Sequence, residues 1–423
     1  MTLRIYYIWL LLLPYSWIIA HYTGVIALDK MLAPLLLIVG LPALLQAPPA
    51  RRSAVLQVLI FLFVFMLLKN VSFLADMNLW LDLMWVDAIK IGYFAVPILY
   101  ITSMQRFRVS GWIIVISAAA GLITVFMVAL GWLVLPLQRF EITRIGVETL
   151  QKSIGIFPSY GDLAQYVSFT IGFIALTPGV KNPKASIWRL LRLGFVAIFF
   201  IGLIGAQSRN LLMSALISAA SLYFLARIAR LPLQRRQLTL VFVFIFGLFG
   251  LAFGVFFIGF IIDILSGIGG GLAQDTASAR LAQFDYGWQL ISSSPLWGIN
   301  AADYAANPSS VDTIHNLWIK LTAKSGIFTT LLFLIILWRI FSRLLVTMDY
   351  QDRALDARVV ITYFFVMVFS TLFYPAMGEA YWALLGVASA LVYVTGSPRG
   401  VVVTGTKSAP KGLLVAHRER LNA

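Results

Sequence analysis

The chain consists largely of apolar runs of about 20 residues, the length that a helix needs to cross the hydrocarbon core of a bilayer. Short polar breaks separate these runs. The run 193–226 is too long for one span, and Gln207-Ser208-Arg209-Asn210 interrupts it, so we expect two helices with a tight turn at Ser208-Arg209. The sequence then predicts twelve spans: the two halves of 193–226, and runs near 5–22, 31–46, 54–74, 86–103, 111–135, 161–177, 238–262, 318–342, 358–374 and 381–396.

The amino-acid composition excludes most other classes of protein. Hydrophobic residues make up 61% of the chain and charged residues 12%, which is about half the charged share of a typical soluble domain. A soluble enzyme and a disordered chain are therefore excluded. Because the chain has no cysteine, it has no disulfide framework, thiolate metal site or cysteine nucleophile. We expect an all-α polytopic membrane protein, with one transmembrane domain over 1–396 and a basic tail over 397–423.

The charges alternate between the two sides of the predicted membrane domain. Every second connection, together with Arg4 and the tail, holds 22 of the 32 Lys and Arg, for a net charge of +18 on that side. The membrane and the other side sum to −3, so the formal charge of +15 is a topology signal and not a surface for nucleic acid. The positive-inside rule places both termini in the cytoplasm, and the basic side also suits contact with anionic membrane lipids.

Two long connections lie on the outer side, over about 136–160 and 263–314. In the second, Asp275 or Thr276 is a candidate N-cap of a short helix that ends at Ser294-Pro295-Leu296-Trp297-Gly298. The spacing of its apolar residues predicts an interfacial helix lying on the outer membrane surface. The predicted apolar stripe is Leu281, Phe284, Trp288 and Ile291, and the opposite face holds Arg280, Gln283 and Gly287.

Three basic residues stand out because charge near the membrane is costly unless it is paired or used. Arg209 lies at the outer tip of a helical pair, Arg280 on the polar face of the loop helix, and His315 where the long loop re-enters the membrane. Structural interpretations stay open for each of them. Arg209 can snorkel or pair with an outer aspartate, Arg280 can face solvent, and His315 can cap a helix.

Together these residues suit group transfer from a lipid diphosphate to an alcohol. Two guanidinium groups bind a diphosphate bidentately and offset the charge on a leaving pyrophosphate. A neutral imidazole accepts a proton from an attacking hydroxyl. The outer acids lack metal-ligand spacing, so we expect neither a metal nor another cofactor. Arg139 and Arg144 in the first outer loop are further candidates for a substrate phosphate or acidic sugar, with local ion pairs to Glu141 and Glu148 as the alternative.

At these residues the chain resembles the O-antigen ligase and O-antigen polymerase superfamily of bacterial envelope glycosyltransferases. The resemblance covers roughly residues 150–345, and four segments occur in the same order and on the same predicted side. The segments are 154–166, Gln207-Ser208-Arg209, Ser278-Ala279-Arg280 with Trp288 and 295–298, and His315-Asn316-Leu317-Trp318 followed by Ser325-Gly326-Ile327.

The resemblance implies a membrane glycosyltransferase with a GT-C-like arrangement of about twelve helices in the bacterial inner membrane. Such proteins take a glycan from undecaprenyl diphosphate at the periplasmic face and pass it to an acceptor sugar hydroxyl. The acceptor is the lipid A core in a ligase and another lipid-linked repeat unit in a polymerase. Matching residues imply diphosphate binding by Arg209 and Arg280 and acceptor activation by His315. Tyr160 and Asn316 are further candidates for substrate contact, and the segment around Tyr160 departs from the family pattern.

Two alternatives to a ligase follow from the sequence. Only 34 residues separate Arg280 from His315, which is short for a loop that docks a large acceptor and favours polymerase or exopolysaccharide chemistry. Twelve spans with both ends inside also occur in transporters, which often show two similar halves. Here the halves differ, because the unusual outer sequence lies between the fifth and tenth spans.

Overall fold

The computed structural model describes residues 2–16, 18–19, 28–133, 157, 160–176, 185–206, 209–228, 231, 235, 239, 272–306, 311, 314, 316–348, 354–373 and 378–394. These residues form helices and connecting turns, and no strand occurs among them. The helices are α1 (Thr2–Leu12), α2 (Leu28–Leu45), α3 (Pro49–Asn70), α4 (Met77–Tyr100), α5 (Met104–Ala129), α6 (Tyr160–Leu176), α7 (Ala185–Ala206), α8 (Arg209–Ile228), α9 (Leu272–Ser293), α10 (Ala301–Ala306), α11 (Leu317–Thr347), α12 (Ala354–Phe373) and α13 (Glu379–Tyr393). Single 3-10 turns follow α1 at Leu13–Tyr15 and α3 at Val71–Phe73.

Each predicted span that the structure describes overlaps a helix. The predicted span 238–262, apart from Thr239, and the basic tail 397–423 lie outside the described residues. Five of the described helices are long and apolar enough to cross a membrane: α2, α3 with its 3-10 turn, α4, α5 and α11. Shorter apolar stretches occur in α7, α8 and α13. The protein is therefore an all-helical, polytopic membrane protein, and the number of twelve spans stays a prediction.

The boundaries around the candidate residues test three predictions. The interruption of the long apolar run is confirmed, because α7 ends at Ala206 and α8 begins at Arg209. The predicted N-cap at Asp275 or Thr276 is wrong, because α9 already begins at Leu272. Leu, Ala and Gln are good helix formers, so the helix extends back through them, and Asp275 falls in the first turn, where its charge suits the helix dipole. The predicted end is confirmed at Ser293.

Helix α13 lies at the centre of the bundle. Its residues from Ala380 to Leu391 are all buried, and it packs against α4, α5, α6, α11 and α12. Gly386 permits the closest approach, since a Cβ atom there would overlap the backbone carbonyl of Phe94 in α4. Small residues allow this kind of close packing between membrane helices. Among the described helices, α13 is thus enclosed by several others.

Arginines at the predicted cytoplasmic ends also join helices to one another. Arg108 of α5 forms an ion pair with Asp356 of α12, with Nη2 and Oδ2 2.9 Å apart. Arg51 of α3 donates to the backbone carbonyl of Ile98 near the end of α4 at 2.9 Å. These residues, which the sequence explained only as a topology signal, therefore also hold neighbouring helices together.

A second, smaller apolar core covers the predicted outer ends of α3 and α4. It brings the turn after α3 and the start of α4 together with the chain after α9 and the first turns of α11. Its buried members are Phe73, Ile299, Ala301, Tyr304, Val311, Ile314 and Ala323, with Leu79, Trp80, Leu83, Tyr286, Leu290, Ile291 and Ile319 packed around them. We refer to these residues as the outer core. They fix the chain on both sides of His315 against the membrane domain.

Candidate functional site

The candidate residues occupy three helix starts and one helix interior. Arg209 is the first residue of α8, Tyr160 the first of α6, and Asn316 directly precedes α11, while Arg280 lies within α9. His315, Arg139 and Arg144 lie outside the described residues, and so do the side chains of Arg209, Arg280 and Tyr160. The structure therefore positions the backbone of Arg209, Arg280 and Tyr160 and the whole of Asn316, and the assigned roles of all seven candidates stay predictions.

Asn316 caps the helix that begins beside His315. Its Oδ1 accepts a hydrogen bond from the backbone N–H of Ile319 at 3.0 Å, and its backbone is extended, as at an N-cap. The residue is 7% exposed. Because this cap orients the first turn of α11, it also fixes the chain that leaves His315. The cap leaves the amide nitrogen of Asn316 and the second lone pair of its oxygen for a contact with substrate.

Two segments that carried the family resemblance meet at a bend in α11. Gly326 has φ 78° and ψ 171° inside this long helix, a conformation open essentially to glycine alone. A Cβ atom at Gly326 would overlap the carbonyl of Leu296, and one at Gly298 would overlap the backbone of Lys324 and Ser325. Glycine is therefore required on both sides of this contact.

Backbone hydrogen bonds hold the two segments together. The N–H of Ile299 donates to the carbonyl of Ala323 at 2.9 Å, and the N–H of Ile327 donates to the carbonyl of Pro295 at 2.9 Å. The bend exposes helical backbone groups that would otherwise lack partners, and the turn at 295–299 supplies them. The turn is thus built into the helix that follows His315.

Helix α9 lies against the first turns of α11. Gly287 is buried there, and a Cβ atom on it would overlap the Ile319 side chain and come within 3.5 Å of Ile314. Arg280 precedes Gly287 by two helical turns, which places it in line with Gly287 about 10 Å along the axis. The face of α9 that carries Arg280 therefore faces the helix that begins beside His315.

This docking shows which part of α9 meets the protein. Trp288, assigned to the apolar stripe on the membrane surface, is 57% exposed, whereas Gly287, assigned to the polar face, is buried. Tyr286, Leu290 and Ile291 pack on the outer core. The helix is thus held by protein contacts along this face, and the apolar side that contains Trp288 points away from them.

Lys324 ties α11 to the chain that follows α9. Its Nζ donates to Tyr304 Oη at 2.9 Å and lies 4.2 Å from the centroid of the Tyr304 ring. The same ammonium group is 5.8 Å from the Phe73 ring, within the range of a cation–π interaction. This lysine therefore has a positioning role next to the bend at Gly326.

The segment before α6 is anchored by an aromatic side chain. Phe157 is fully buried, its ring occupies the space beside Gly121 of α5, and it lies edge-on to the Tyr166 ring with centroids 5.0 Å apart. Asp162 follows in the first turn of α6 and is 7% exposed. Its carboxylate lies 3.2 Å from where a Cβ atom on Gly378 would stand, so the start of α6 adjoins the start of α13.

Charged residues that the sequence interpretation left without a role lie between α2, α3, α4 and α13. Lys69 and Asn70 end α3, Asp87 and Lys90 lie on α4, and the four form one bonded group. Lys30 at the start of α2 forms an ion pair with Glu379 of α13, with Nζ and Oε1 3.2 Å apart. The sequence contained one signal for the contact between α3 and α4. Lys69 and Asp87 lie near the ends of two consecutive predicted spans, on the same predicted side of the membrane.

Comparison with known families gives a match over the middle of the chain. Residues 194–334 match the family model described as O-antigen ligase. The matched part runs from α7 to α11 and contains Arg209, Arg280 and His315 as well as the bend at Gly326. No curated protein matches the chain significantly. The resemblance to the O-antigen ligase superfamily found in the sequence is thus confirmed.

Proposed function

We propose that the protein is a membrane glycosyltransferase that transfers a glycan from undecaprenyl diphosphate to an acceptor sugar hydroxyl at the periplasmic face. The observation that supports this most is the match of residues 194–334 to the O-antigen ligase family. The all-helical membrane architecture agrees with a lipid-linked substrate. We assign it ligase-like chemistry with the lipid A core as acceptor.

In the proposed reaction, Arg209 and Arg280 bind the diphosphate, and His315 takes the proton of the acceptor hydroxyl. The hydroxyl oxygen attacks the anomeric carbon, a new glycosidic bond forms, and the bond from that carbon to the diphosphate oxygen breaks. The leaving undecaprenyl diphosphate carries the bonding electrons, and the guanidinium groups offset its charge. Arg139, Arg144, Tyr160 and Asn316 are assigned to substrate binding. The arginines supply the positive charge, so the proposed reaction needs no metal.

The proposed topology places this chemistry on the outer side of the bacterial inner membrane. Twelve spans of one transmembrane domain, arranged as in a GT-C-like enzyme, keep both termini in the cytoplasm. The packing of α9 and the turn 295–299 around the start of α11 supports a site in this region, because these elements carry or flank Arg280 and His315.

A polymerase is the second candidate, with a lipid-linked repeat unit as acceptor. The segment between Arg280 and His315 has 34 residues, and eight of them belong to the outer core or pack on it. A short segment that is anchored at several points has less freedom to dock a large acceptor. A smaller, lipid-linked acceptor fits such a loop better.

Alanine substitution of the three central residues tests the proposal. R209A, R280A and H315A should each abolish glycan transfer by membranes that contain the protein, with normal insertion. Arg→Lys at either arginine should also impair transfer, because lysine loses bidentate geometry. Arg235→Ala is the control, since Arg235 is an exposed arginine on the predicted cytoplasmic side and should transfer normally. Near-normal transfer in all three alanine variants would overturn the assignment.

A deletion strain separates the alternatives. Free core lipid together with lipid-linked polymer indicates a ligase, and single repeat units indicate a polymerase. Unchanged glycans with altered solute uptake indicate a transporter. Transfer should continue after thorough chelation, and strict dependence on an added metal would contradict the arginine mechanism.

A further inference from the structure

Helix α11 consists of two segments that fold towards each other at Gly326, where the backbone is not helical. We call residues 317–325 the entry segment and residues 327–347 the crossing segment. The ring centroids of Trp318 and Phe333 are 5.9 Å apart, whereas residues at these positions of a straight helix would lie about 22 Å apart along its axis. The crossing segment by itself has the length that one span needs. The entry segment is therefore a separate arm that folds back on it.

A pair of threonine hydroxyl groups joins the two segments close to the bend. Oγ1 of Thr322 and Oγ1 of Thr330 are 2.9 Å apart. Each hydroxyl also lies within hydrogen-bond distance of the backbone carbonyl four residues earlier, that of Trp318 at 2.8 Å and that of Gly326 at 3.2 Å. Because a hydroxyl has one proton to donate, the pair forms a hydrogen-bonded chain that ends on one of these two carbonyls. The chain is a directional link between the segments.

This link lies on the face where the segments meet. Trp318 and Thr322 are four residues apart in the entry segment, a spacing that places both on one helix face. Thr330 and Phe333 share a face of the crossing segment in the same way. On another side the entry segment packs on the outer core through Ile319. Apolar contacts are non-directional, whereas a hydrogen bond requires a short distance and a limited range of angles. The threonine pair is therefore suited to fix the angle between the segments.

The angle at Gly326 determines where the entry segment begins. Asn316, which caps this segment, is about 15 Å from the bend along the helix axis. A rotation of about 4° at the bend would displace the cap by about 1 Å, and a misplacement of this size can slow a reaction about a hundredfold. His315, the residue proposed to activate the acceptor, directly precedes Asn316 in the sequence. Control of the angle is thus control of the chain that leaves His315.

We propose that Thr322 and Thr330 are positioning residues for glycan transfer, and that their hydroxyl pair holds the entry segment in its folded-back arrangement. This inference rests on the proposed function, in which His315 takes the proton of the acceptor hydroxyl. The two threonines act through the position of the entry segment and not through contact with donor or acceptor. Loss of the pair should therefore lower kcat and leave the KM for both substrates close to the wild-type values.

The first test measures steady-state transfer by the full-length protein in nanodiscs, varying donor and acceptor separately. Thr330→Val keeps the shape of the side chain without the hydroxyl and should lower kcat roughly tenfold. Thr330→Ser keeps the hydroxyl and should stay within about twofold of the wild-type kcat.

Thr347→Val is the matched control. Thr347 is a buried residue at the other end of α11, and its hydroxyl donates to the carbonyl of Arg343 at 2.8 Å. Both valine variants lose one buried hydroxyl from the same helix, so their unfolding temperatures should fall by similar amounts. Only Thr330→Val should lose kcat, because a purely structural effect would appear in both.

A disulfide tests the folded-back arrangement directly, because the chain has no cysteine of its own. In the double variant T322C/T330C, a mild oxidant should form a disulfide, which requires Cβ atoms about 4 Å apart. The reduced double variant should transfer as slowly as Thr330→Val. Oxidation should restore most of the wild-type kcat, since the disulfide replaces the hydroxyl pair, and reduction should reverse the gain. The pair T322C/T347C should not form a disulfide within one molecule.

A wild-type kcat in Thr330→Val, or an equal fall of kcat in Thr347→Val, would overturn the proposal. So would failure of T322C/T330C to form the disulfide, or a disulfide that leaves transfer no faster than in the reduced protein. Absence of transfer by the wild-type protein would contradict the proposed function itself, whatever the result of oxidation. Normal transfer by the wild-type protein together with an unaltered kcat in Thr330→Val would contradict only the positioning role.

Discussion

At the scale of single residues, the glycines at 298 and 326 determine how the chain around His315 is built. Gly326 bends α11, and the turn that ends at Gly298 fills the bend and bonds its backbone. The sequence singled out both positions only as parts of segments that resemble a family. The structure gives the physical reason, which is that neither position tolerates a Cβ atom.

We expect Gly326→Ala to destabilise the protein more than the same change at Gly131. Both glycines have positive φ, but nothing lies within 4 Å of a Cβ atom on Gly131, whereas one on Gly326 would overlap the Leu296 carbonyl. The change at Gly131 should cost about 1–2 kcal/mol from its conformation alone. At Gly326 the strained conformation costs about 1–3 kcal/mol, and the overlap adds to that.

Thermal unfolding in detergent measures this difference, with glycan transfer as the second readout. Gly326→Ala should unfold at a lower temperature than Gly131→Ala. It should also lose transfer, because the bend at Gly326 positions the first turns of α11, which follow Asn316, relative to the rest of that helix. Equal unfolding temperatures for the two variants would show that the turn and the bend are not in close contact.

At the scale of elements, the sequence predicted the existence and approximate limits of helices better than their orientation. The apolar runs and the break at 207–210 predicted α7 and α8, since length and polarity alone determine a candidate span. The sequence predicted an apolar stripe of α9 on the membrane surface but not the residues of α9 that pack against the protein, because an apolar side chain suits both lipid and protein. A small residue such as Gly287 indicates close helix packing, but the sequence interpretation assigned Gly287 to the polar face.

The docking of α9 predicts that substitutions at two adjacent residues destabilise the protein to different extents. Gly287→Val should destabilise the fold by about 1–3 kcal/mol, because it inserts a side chain into a packed contact with Ile314 and Ile319. Trp288→Ala should cost much less, since that side chain is 57% exposed. Comparison of unfolding temperatures and of kcat for transfer checks this order. A larger loss for Trp288→Ala would mean that the side of α9 that carries Trp288, and not the side that carries Gly287, packs against the protein.

At the scale of the whole molecule, hydropathy cannot reveal which span lies at the centre. Helix α13 and helix α3 are both apolar, yet α13 is buried along nearly its whole length and α3 exposes Ile60 and Phe63 on one side. The difference follows from contacts between distant parts of the chain, such as Gly386 against Phe94. The ion pair of Lys69 with Asp87 was missed for the same reason, because it depends on two spans meeting.

The alternation of basic connections predicts which turns face each side of the membrane, and the chain lends itself to a direct test because it contains no cysteine. Single cysteines are best placed at exposed positions in or next to four consecutive connections between helices: Gln46, Ala75, Gln105 and Trp132. The positive-inside rule puts Gln46 and Gln105 beside arginines in the cytoplasm and puts Ala75 and Trp132 on the outer side. A membrane-impermeant maleimide should therefore label A75C and W132C in intact spheroplasts, and Q46C and Q105C only after permeabilisation.

This labelling pattern decides where the proposed chemistry takes place. The unaltered chain is the control and should not react, because it has no thiol. The opposite pattern would be labelling of Q46C and Q105C, but not of the other two, in intact spheroplasts. The starts of α11 and α13 would then face the cytoplasm. The reason is that the outer core fixes the start of α11 to α3 and α4, and that α13 packs against α4. Arg209, Arg280 and His315 would then lie on the wrong side for a periplasmic lipid-linked glycan, and the proposed reaction could not occur as assigned.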